Sequence, residues 1–436
     1  VTTLDKLPTL VDGRVLLDGD EGFDAARTPW NLAVRQPVAA VVEAADADDV
    51  AAVARFARTA GFTVSAQPSG HGASGNTQGV ILLRTRALDE VRVDPRGRTA
   101  RVGAGATWGQ VQAAAGPHGL TGLAGSSPGV SAVGYTLGGG VSWFGRAFGW
   151  ASDSVTAFEV VDADGARGRV TAQSDPDLFW ALRGGGGDHA LVTAMEFDLH
   201  AAPALYGGRM VWPGHMAEAA MDAFRRVTAT APRELSTWLT RLQVPGQDAM
   251  VVVDVTYLGG EAEAKELLRP LEGVGAPLSD SRGPLSPADL GSVTSDPLDP
   301  APGQSRAELL TGLDDGAAEA LLGAPVAPML LAQVRHLGGA LAGPSDSPQG
   351  PMAEPYALYM FGVPATAEAA EGVRARQAEF AAALAPYVSG RTPFTLLAPG
   401  KTAASAFSPE ALERLREVKR ARDPQGVIRS NYPVLG

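Results

Sequence analysis

"PSGHGASG", Pro68 to Gly75, sets glycines at 70, 72 and 75 around one histidine, His71. The G-x-G-x-x-G spacing suits a dinucleotide fingerprint, a plain glycine turn, or a loop built around the histidine. A dinucleotide fingerprint needs a helix that starts within the glycines to face the pyrophosphate, and an acidic residue about 20 positions on to hold the ribose. The next residues, "NTQGVILL" (76–83), read instead as a turn and a strand. Asp89 stands at a suitable distance, but without the helix the site has no dipole. A second run, "GAGATWG" with Gly103, Gly105 and Gly109, does come after a strand and open a helix, yet no carboxylate comes after it until Asp153. Both fail as nicotinamide sites, which leaves a plain glycine turn or a loop built around the histidine.

The surroundings of that loop have a regular grammar. "AVVEAADADDVAAVARFARTAGFTVSAQ" reads as strand, helix and strand: Asp46 caps, Val50, Val53, Ala54 and Ala57 recur on one helical face, and Gly61 sits past the end. From 80 to 200 short strands alternate with glycine turns, with one short helix at "TWGQVQAAA". From about 205 to 395 longer strands and helices take over, among them "AMVVVDVTYLG", "MLLAQVRHLGGA" and "YALYMFGV". "SPEALERLREVKRA" is a closing helix with Ser408 as cap and Pro409 at its first position.

Composition bounds the chemistry. The 436 residues are 45% hydrophobic, enough for two or three folding units, and the net charge of -12 argues against nucleic acid or an anionic membrane as partner. Without a basic leader, an apolar run of spanning length or a cysteine, the expectation is a cytoplasmic protein with no disulfide and no thiolate chemistry. The six histidines (71, 118, 189, 200, 215, 336) show no metal-ligand spacing, and "LDDG" at 313–316 reads as a loop. "GSSPG" (125–129) has the form of a hydrolase elbow with Ser127 as nucleophile. Pro128 comes next, however, and lacks the N–H an oxyanion hole needs.

Between Pro95 and Ser152 there are fifteen glycines and no Asp or Glu, where 48 acidic residues in 436 would place about six in that length. Small residues that let backbone amides approach, with no opposing charge, suit an anionic ligand such as a pyrophosphate.

Taken together these segments resemble the berberine bridge enzyme-like flavoproteins, on a bacterial branch, within the wider vanillyl-alcohol-oxidase or PCMH-type FAD-binding superfamily. "SGHGASG" is similar to the family loop in which a histidine, here His71, bonds the flavin 8α-methyl while loop amides hold the pyrophosphate; Ser69, Gly70, Gly72 and Ala73 fall on it. "RVGAGATWGQVQAAAGPHGL" resembles the family's next strand and helix. "GSSPGVSAVGYTLGGGVSWFGRAFGWASDSV" resembles the second flavin loop, with Ser127, Pro128, Val130, Gly134, Leu137, Gly138, Gly139 and Gly140 on its positions. "DPDLFWALRGGGGDHALVTAMEF" is similar to the segment that closes over the cofactor and contains Val192. "RDPQGVIRSNYPV" resembles the C-terminal return, with Asn431 at the family's asparagine.

The resemblance implies an α+β fold. A PCMH-type FAD-binding domain of two α/β subdomains would be built from 1–200 and 396–436, and a substrate domain (201–395) would place an antiparallel sheet, flanked by helices, over the flavin. It implies an FAD-dependent oxidoreductase that passes a hydride from an alcohol or amine carbon of a small metabolite to the flavin, with O2 as acceptor. A flavoprotein cyclase or isomerase without net oxidation, or a flavin-binding protein without turnover, are the alternatives. Trp238, Arg241, Tyr257 and Tyr359 would suit an aromatic or polycyclic metabolite, and 32 arginines against four lysines fit a GC-rich genome and secondary metabolism.

Three departures from the family sharpen these expectations. Ser127 stands where many members carry a second flavin-bonding cysteine, so attachment is expected through His71 only. Gly187-Asp188-His189-Ala190 replaces the usual G-N-F-G. Phe394, in "TPFTLLAPG", stands at or beside a tyrosine that often helps deprotonate substrate, which leaves His336, Tyr359 and Tyr257 as candidate catalytic residues, with His189 and Tyr432 behind them. Alternation along "MLLAQVRHLGGA" places Gln333 and Arg335 on one face and His336 on the other.

Overall fold

Asp46 accepts hydrogen bonds from the N–H groups of Asp48 and Asp49, and Gly61 takes a left-handed φ of 76° to end the helix Ala47–Ala60. In the computed structural model, which describes residues 3–436, this helix joins the strands Ala40–Glu43 and Val64–Ala66. Strand Ile81–Arg84 runs between them, parallel to both, and Arg14–Leu17 pairs antiparallel with the outer edge of Ala40–Glu43. Every residue of Ile81–Arg84 is buried, as a central parallel strand covered on both faces requires. The chain's other end returns here: the Val64 N–H donates to the Val427 carbonyl (2.7 Å) and the Arg429 N–H to that of Val64 (2.9 Å).

A second sheet of five antiparallel strands runs in the order Val91–Asp94, Thr99–Gly103, Leu191–Asp198, Val155–Val161, Arg167–Val170. Thr107 and Gln110 form a reciprocal capping box at the start of the helix Trp108–Ala115. That helix packs Trp108 and Val111 into a core with Phe158, Phe179 and Phe197.

The third sheet is antiparallel throughout. Its long strands lie in the order Tyr206–Pro213, Met250–Tyr257, Leu235–Leu242, Leu331–His336, Tyr356–Gly362, Gln304–Leu310. Helices Ala217–Thr230, Asp315–Gly323 and Ala367–Ala383 cover one face, where Leu239, Val253, Val334, Leu358 and Met360 pack with Phe224 and Phe380. The pleat then turns Trp238, Gln333, Arg335 and Tyr359 to the opposite face. Trp143 stacks on Trp238 across that face, ring centroids 3.6 Å apart, and so sets the sheet against the glycine-rich segment.

The α+β architecture agrees with the expectation. One local reading is narrowed: Leu313 and Asp314 are loop, but Asp315 and Gly316 open the helix Asp315–Gly323, which the Asp314 carboxylate caps by accepting the Ala317 N–H.

Candidate active site

Gly70 and Gly75 both hold left-handed φ values, 82° and 83°. The turn tightly packs Gly70, whose missing Cβ would lie 2.7 Å from Pro29. His71 is clamped in this loop. Its Nδ1 meets Ser69 Oγ at 2.8 Å, its ring stacks on Trp30 with centroids 4.4 Å apart, and its Nε2 is buried with no partner. Burial, helped by the nearby Arg86 cation, lowers the His71 pKa to about 4, so the ring is neutral at physiological pH. Ala73 is buried behind it, while Gly72 faces open space.

The second loop comes to the first. A Cβ added at Gly129 would stand 4.0 Å from His71 Cε1 and 3.9 Å from Ser127 Oγ, and one at Gly134 would stand 3.8 Å from Pro68. The Pro128 and Val130 carbonyls accept the Gly109 and Trp108 N–H groups, which pins this loop to the start of the helix Trp108–Ala115. Gly139 and Gly140 take left-handed φ values of 95° and 77°, and a Cβ at Gly140 would run into the Tyr135 ring. The Leu137 carbonyl accepts the Gly186 N–H. Val192 is buried in the second sheet, opposite Val160.

The C-terminal return completes the ring of loops. Gln67 Nε2 donates to Asn431 Oδ1 at 3.4 Å and Ser74 Oγ to the Asn431 carbonyl at 2.6 Å. The altered Gly187-Asp188-His189-Ala190 tetrad is what anchors this return. The Asp188 carboxylate accepts the Ser430 and Val434 N–H groups, and its carbonyl accepts Lys419 Nζ.

Against these loops lies the sheet face that the helices leave free, held there by the Trp143–Trp238 stack. The Arg335 guanidinium lies between two rings, 4.2 Å from the Trp238 centroid and 4.9 Å from that of Tyr359. Its Nε donates to Gln333 Oε1 (2.8 Å), and Gln333 Nε2 donates to Thr240 Oγ1 (2.9 Å). Burial raises the Tyr359 and Tyr135 pKa values, while the Arg335 charge pulls both the other way; Tyr359 also shares a hydrogen bond with Ser305. Ser305 and Ala307 line a cavity of about 600 Å³ that also touches Ser74 and Gly75 of the histidine loop.

The other candidate catalytic residues lie elsewhere. His336 falls on the opposite side of its strand from Arg335, stacks on Tyr356, and takes a hydrogen bond from Arg146 at 3.0 Å on Nε2. Burial and that cation hold its pKa at about 3. Tyr257 is packed in the helix-covered core, and burial pushes its phenol up to about 12. Strand alternation thus removes both from the face that carries Tyr359. His189 is buried against the Leu415 carbonyl, and Tyr432 donates to the Leu397 carbonyl, so both hold the C-terminal helix and return. Phe394 packs edge-on to Tyr432, and a Cβ at Gly138 would lie 3.4 Å from its ring; it covers the second loop as an apolar lid.

Sequence reasoning passed over Tyr135 and Trp30. Tyr135 is the one phenol in the acid-free window, and that singularity marks it. Trp30 precedes the loop by some forty residues, and only the fold brings it onto His71.

The loops fit a flavin dinucleotide. Buried polar atoms without a partner gather on them, at His71 Nε2, Ser127 Oγ, Tyr135 OH, Thr136 Oγ1 and Ser430 Oγ, and no Asp or Glu lies between Pro95 and Ser152 to oppose a pyrophosphate. Residues 38–171 match the model of the FAD binding domain family. (R)-6-Hydroxynicotine oxidase of Paenarthrobacter nicotinovorans is 29% identical over 63% of this chain and 61% of its own; the chain thus matches less than two thirds of that relative's length. Two solved structures share the fold. Glucooligosaccharide oxidase of Acremonium strictum, with a 6-S-cysteinyl, 8α-N1-histidyl FAD, superposes with a TM-score of 0.86 at 22% identity over 100% of this chain and 99% of its own. Berberine bridge enzyme of Eschscholzia californica gives a TM-score of 0.84 at 18% identity over 99% of each chain.

Proposed function

We propose that this chain is a PCMH-type FAD-dependent oxidase acting on an alcohol or amine carbon of a small metabolite, with O2 as acceptor; the match of residues 38–171 to the FAD binding domain family and the fold shared with berberine bridge enzyme support this. The carrying observation is the neutral His71 ring, whose buried, unpaired Nε2 lies beside the Ser127–Gly129 turn. FAD held there supplies a hydride acceptor and, once reduced, a reaction with oxygen.

The protein's own residues do the rest. Ser69 orients the His71 ring, and neutrality leaves a lone pair free to bond the flavin 8α carbon. The Ser127 hydroxyl cannot supply the thioether of a 6-S-cysteinyl flavin, so His71 makes the only covalent bond. The glycine loops 70–75 and 138–140, with Asn431, hold the rest of the cofactor. On the sheet face Tyr359 is protonated, and its hydrogen bond to Ser305 makes a route by which a substrate O–H or N–H proton reaches the cavity. Residues 1–200 and 396–436 form the FAD-binding part of this reading and 201–395 the substrate part; an aromatic natural product in the cytoplasm is its setting. No helix among the described residues is long and apolar enough to cross a membrane.

Phe394, which cannot accept a proton, favours a second reading, a cyclase or isomerase that recycles the flavin without oxygen. The test is direct. Acid-precipitated protein should stay yellow, digestion should place the FAD mass on the His71 peptide, and His71→Ala should lose the acid-stable colour while remaining folded. Turnover should release one peroxide per oxygen consumed. Wholly non-covalent FAD would overturn the attachment, and turnover without oxygen uptake would select the second reading.

A further inference from the structure

The cavity beside the histidine loop has an unusual electrostatic lining. Four cationic residues, Arg35, Arg306, Arg374 and Lys401, contribute to it and no Asp or Glu does, in a chain whose net charge is -12. Arg306 is paired with Glu308 and Arg374 with Glu371, but among the described residues Arg35 and Lys401 have no carboxylate within salt-bridge distance. Two of its lining residues, Ser305 and Ala307, lie on the strand beside Tyr359. Ser305 bonds Tyr359, Ala307 sits opposite Tyr359 across the strand pair, and the Arg335 guanidinium packs on the Tyr359 ring.

Arg335, next to Tyr359, has no carboxylate within salt-bridge distance among the described residues. The side chain is half-buried and keeps accessible surface of its own. Its Nε is spent on Gln333, while its two terminal nitrogens make no hydrogen bond to the described residues. Asp254 and Asp296 act on it only at a distance; the Asp254 carboxylate is occupied by Arg209 at 2.6 Å. A half-buried guanidinium, braced by two aromatic rings and left with a free planar fork, is matched by a planar anion of single charge. A fixed cation with no counter-ion costs free energy that such a ligand would recover.

We propose that the substrate carries a carboxylate, that the cation-lined cavity is its approach, and that the terminal nitrogens of Arg335 take the carboxylate and set which carbon faces the flavin. Arg335 is thus a specificity-determining residue. The inference rests on reading this sheet face as the substrate side of an FAD site. A single charge at the inner end selects a monoanion over a phosphate dianion, and Trp238 and Tyr359 favour a flat, apolar body behind the carboxylate.

Benzoate and its neutral isostere benzamide test this in the flavin-loaded protein, with binding read from perturbation of the flavin absorbance. Wild type should bind benzoate at least about tenfold more tightly than benzamide, the value of one charge-assisted hydrogen-bonded pair, and more tightly than phenyl phosphate. Arg335→Gln should bring the benzoate-to-benzamide ratio close to one, and Arg335→Lys should restore part of it. Replacing Arg35 and Lys401 together with Gln should slow benzoate association severalfold at low salt and have no effect at high salt. Equal affinity of wild type for benzoate and benzamide, or no response to benzoate, overturns the proposal, as does an unchanged ratio in Arg335→Gln. Wild type alone decides the first two, so they stand even where a variant loads no flavin. Flavin content and peroxide release, measured on the same samples, report separately on the oxidase reading.

Discussion

At the scale of single residues, chemistry here depends on which groups keep a neutral form at working pH. His71 is kept neutral by burial and by Arg86, and the buried phenols Tyr359 and Tyr135 are kept protonated. A protonated phenol donates a hydrogen bond and relays a proton; it does not take one outright. Tyr359→Phe should therefore lower kcat by about tenfold to a hundredfold with KM little changed, because the relay to Ser305 is cut. Rapid-reaction measurement of flavin bleaching under nitrogen checks this, and an unchanged rate would remove Tyr359 from the relay. The same neutrality of His71 has a sign that can be tested. Covalent attachment needs the unprotonated ring, so its rate should stay level from about pH 8 down to 5.5 rather than halve near 6.5, as an ordinary imidazole would make it. Flavin transfer to apoprotein at a series of pH values gives the answer.

At the scale of elements, the helix Pro409–Arg422 and the return behind it are held by a buried ionic knot. Lys419 Nζ donates to Asp423 Oδ2 at 2.8 Å and to the Ile428 and Asp188 carbonyls, and Asp423 also accepts the Val427 and Ile428 N–H groups. Lys419 and both aspartates are almost wholly buried. Removing the cation strands the carboxylates, so Lys419→Met should cost about 3–5 kcal/mol. It should also loosen 427–434 in hydrogen exchange and, through Asn431, weaken flavin retention. Adding Asp423→Leu should recover much of the loss if the stranded charge is the cause. This knot was hard to read in advance. Each of its members sits where a helix end or a loop tolerates a charge, and only the packing of 422–434 against 184–190 takes them out of water.

At the scale of the whole molecule, three histidines bury more favourably than they ionise. His71 and His200 are held at about 4 and His336 at about 3, each chiefly by burial. The unfolded chain takes their protons near pH 6.5 and the native chain does not, so stability present above 6.5 is lost as pH falls toward 4. His336 alone is worth about 3 kcal/mol over that range. Asp254, pushed up to about 6 by burial, works in the opposite sense, since the native state accepts its proton first. His189, also lowered by burial, adds to the histidines, and Asp153, also raised by burial, adds to Asp254; four histidines against two carboxylates predict net acid destabilisation, measurable as urea midpoints at pH 7.5, 6 and 4.5. His336→Asn should flatten the profile by a third or more; a profile as steep as wild type would contradict the assignment. The cationic cavity inside an acidic molecule belongs to this scale as well, because its lining comes from residues 33–35, 303–307, 374 and 392–401, which no local pattern connects.

Local rules made much of the fold legible in the sequence. Asp46 and Gly61 bound their helix, glycine spacing without a helix ruled out a nicotinamide site, and the acid-free window drew attention to the loops that meet around His71. Each depends on neighbours within a few residues, where sterics and hydrogen-bond geometry leave little freedom. Alternation likewise separated Arg335 from His336. Alternation leaves open which face of a strand looks toward the cofactor layer, because a period of two has no sign. The helices Ala217–Thr230, Asp315–Gly323 and Ala367–Ala383 resolved that by burying one face of the sheet. Tyr257 and His336 went with that core, and Tyr359 and Arg335 were left on the face that meets the glycine-rich segment. Residue order was therefore enough to specify the histidine loop and, in a chain without cysteine, to exclude a thioether to any ligand. The side chains that stand opposite that loop were selected by packing, since burying one face of a sheet is a property of the layers that cover it.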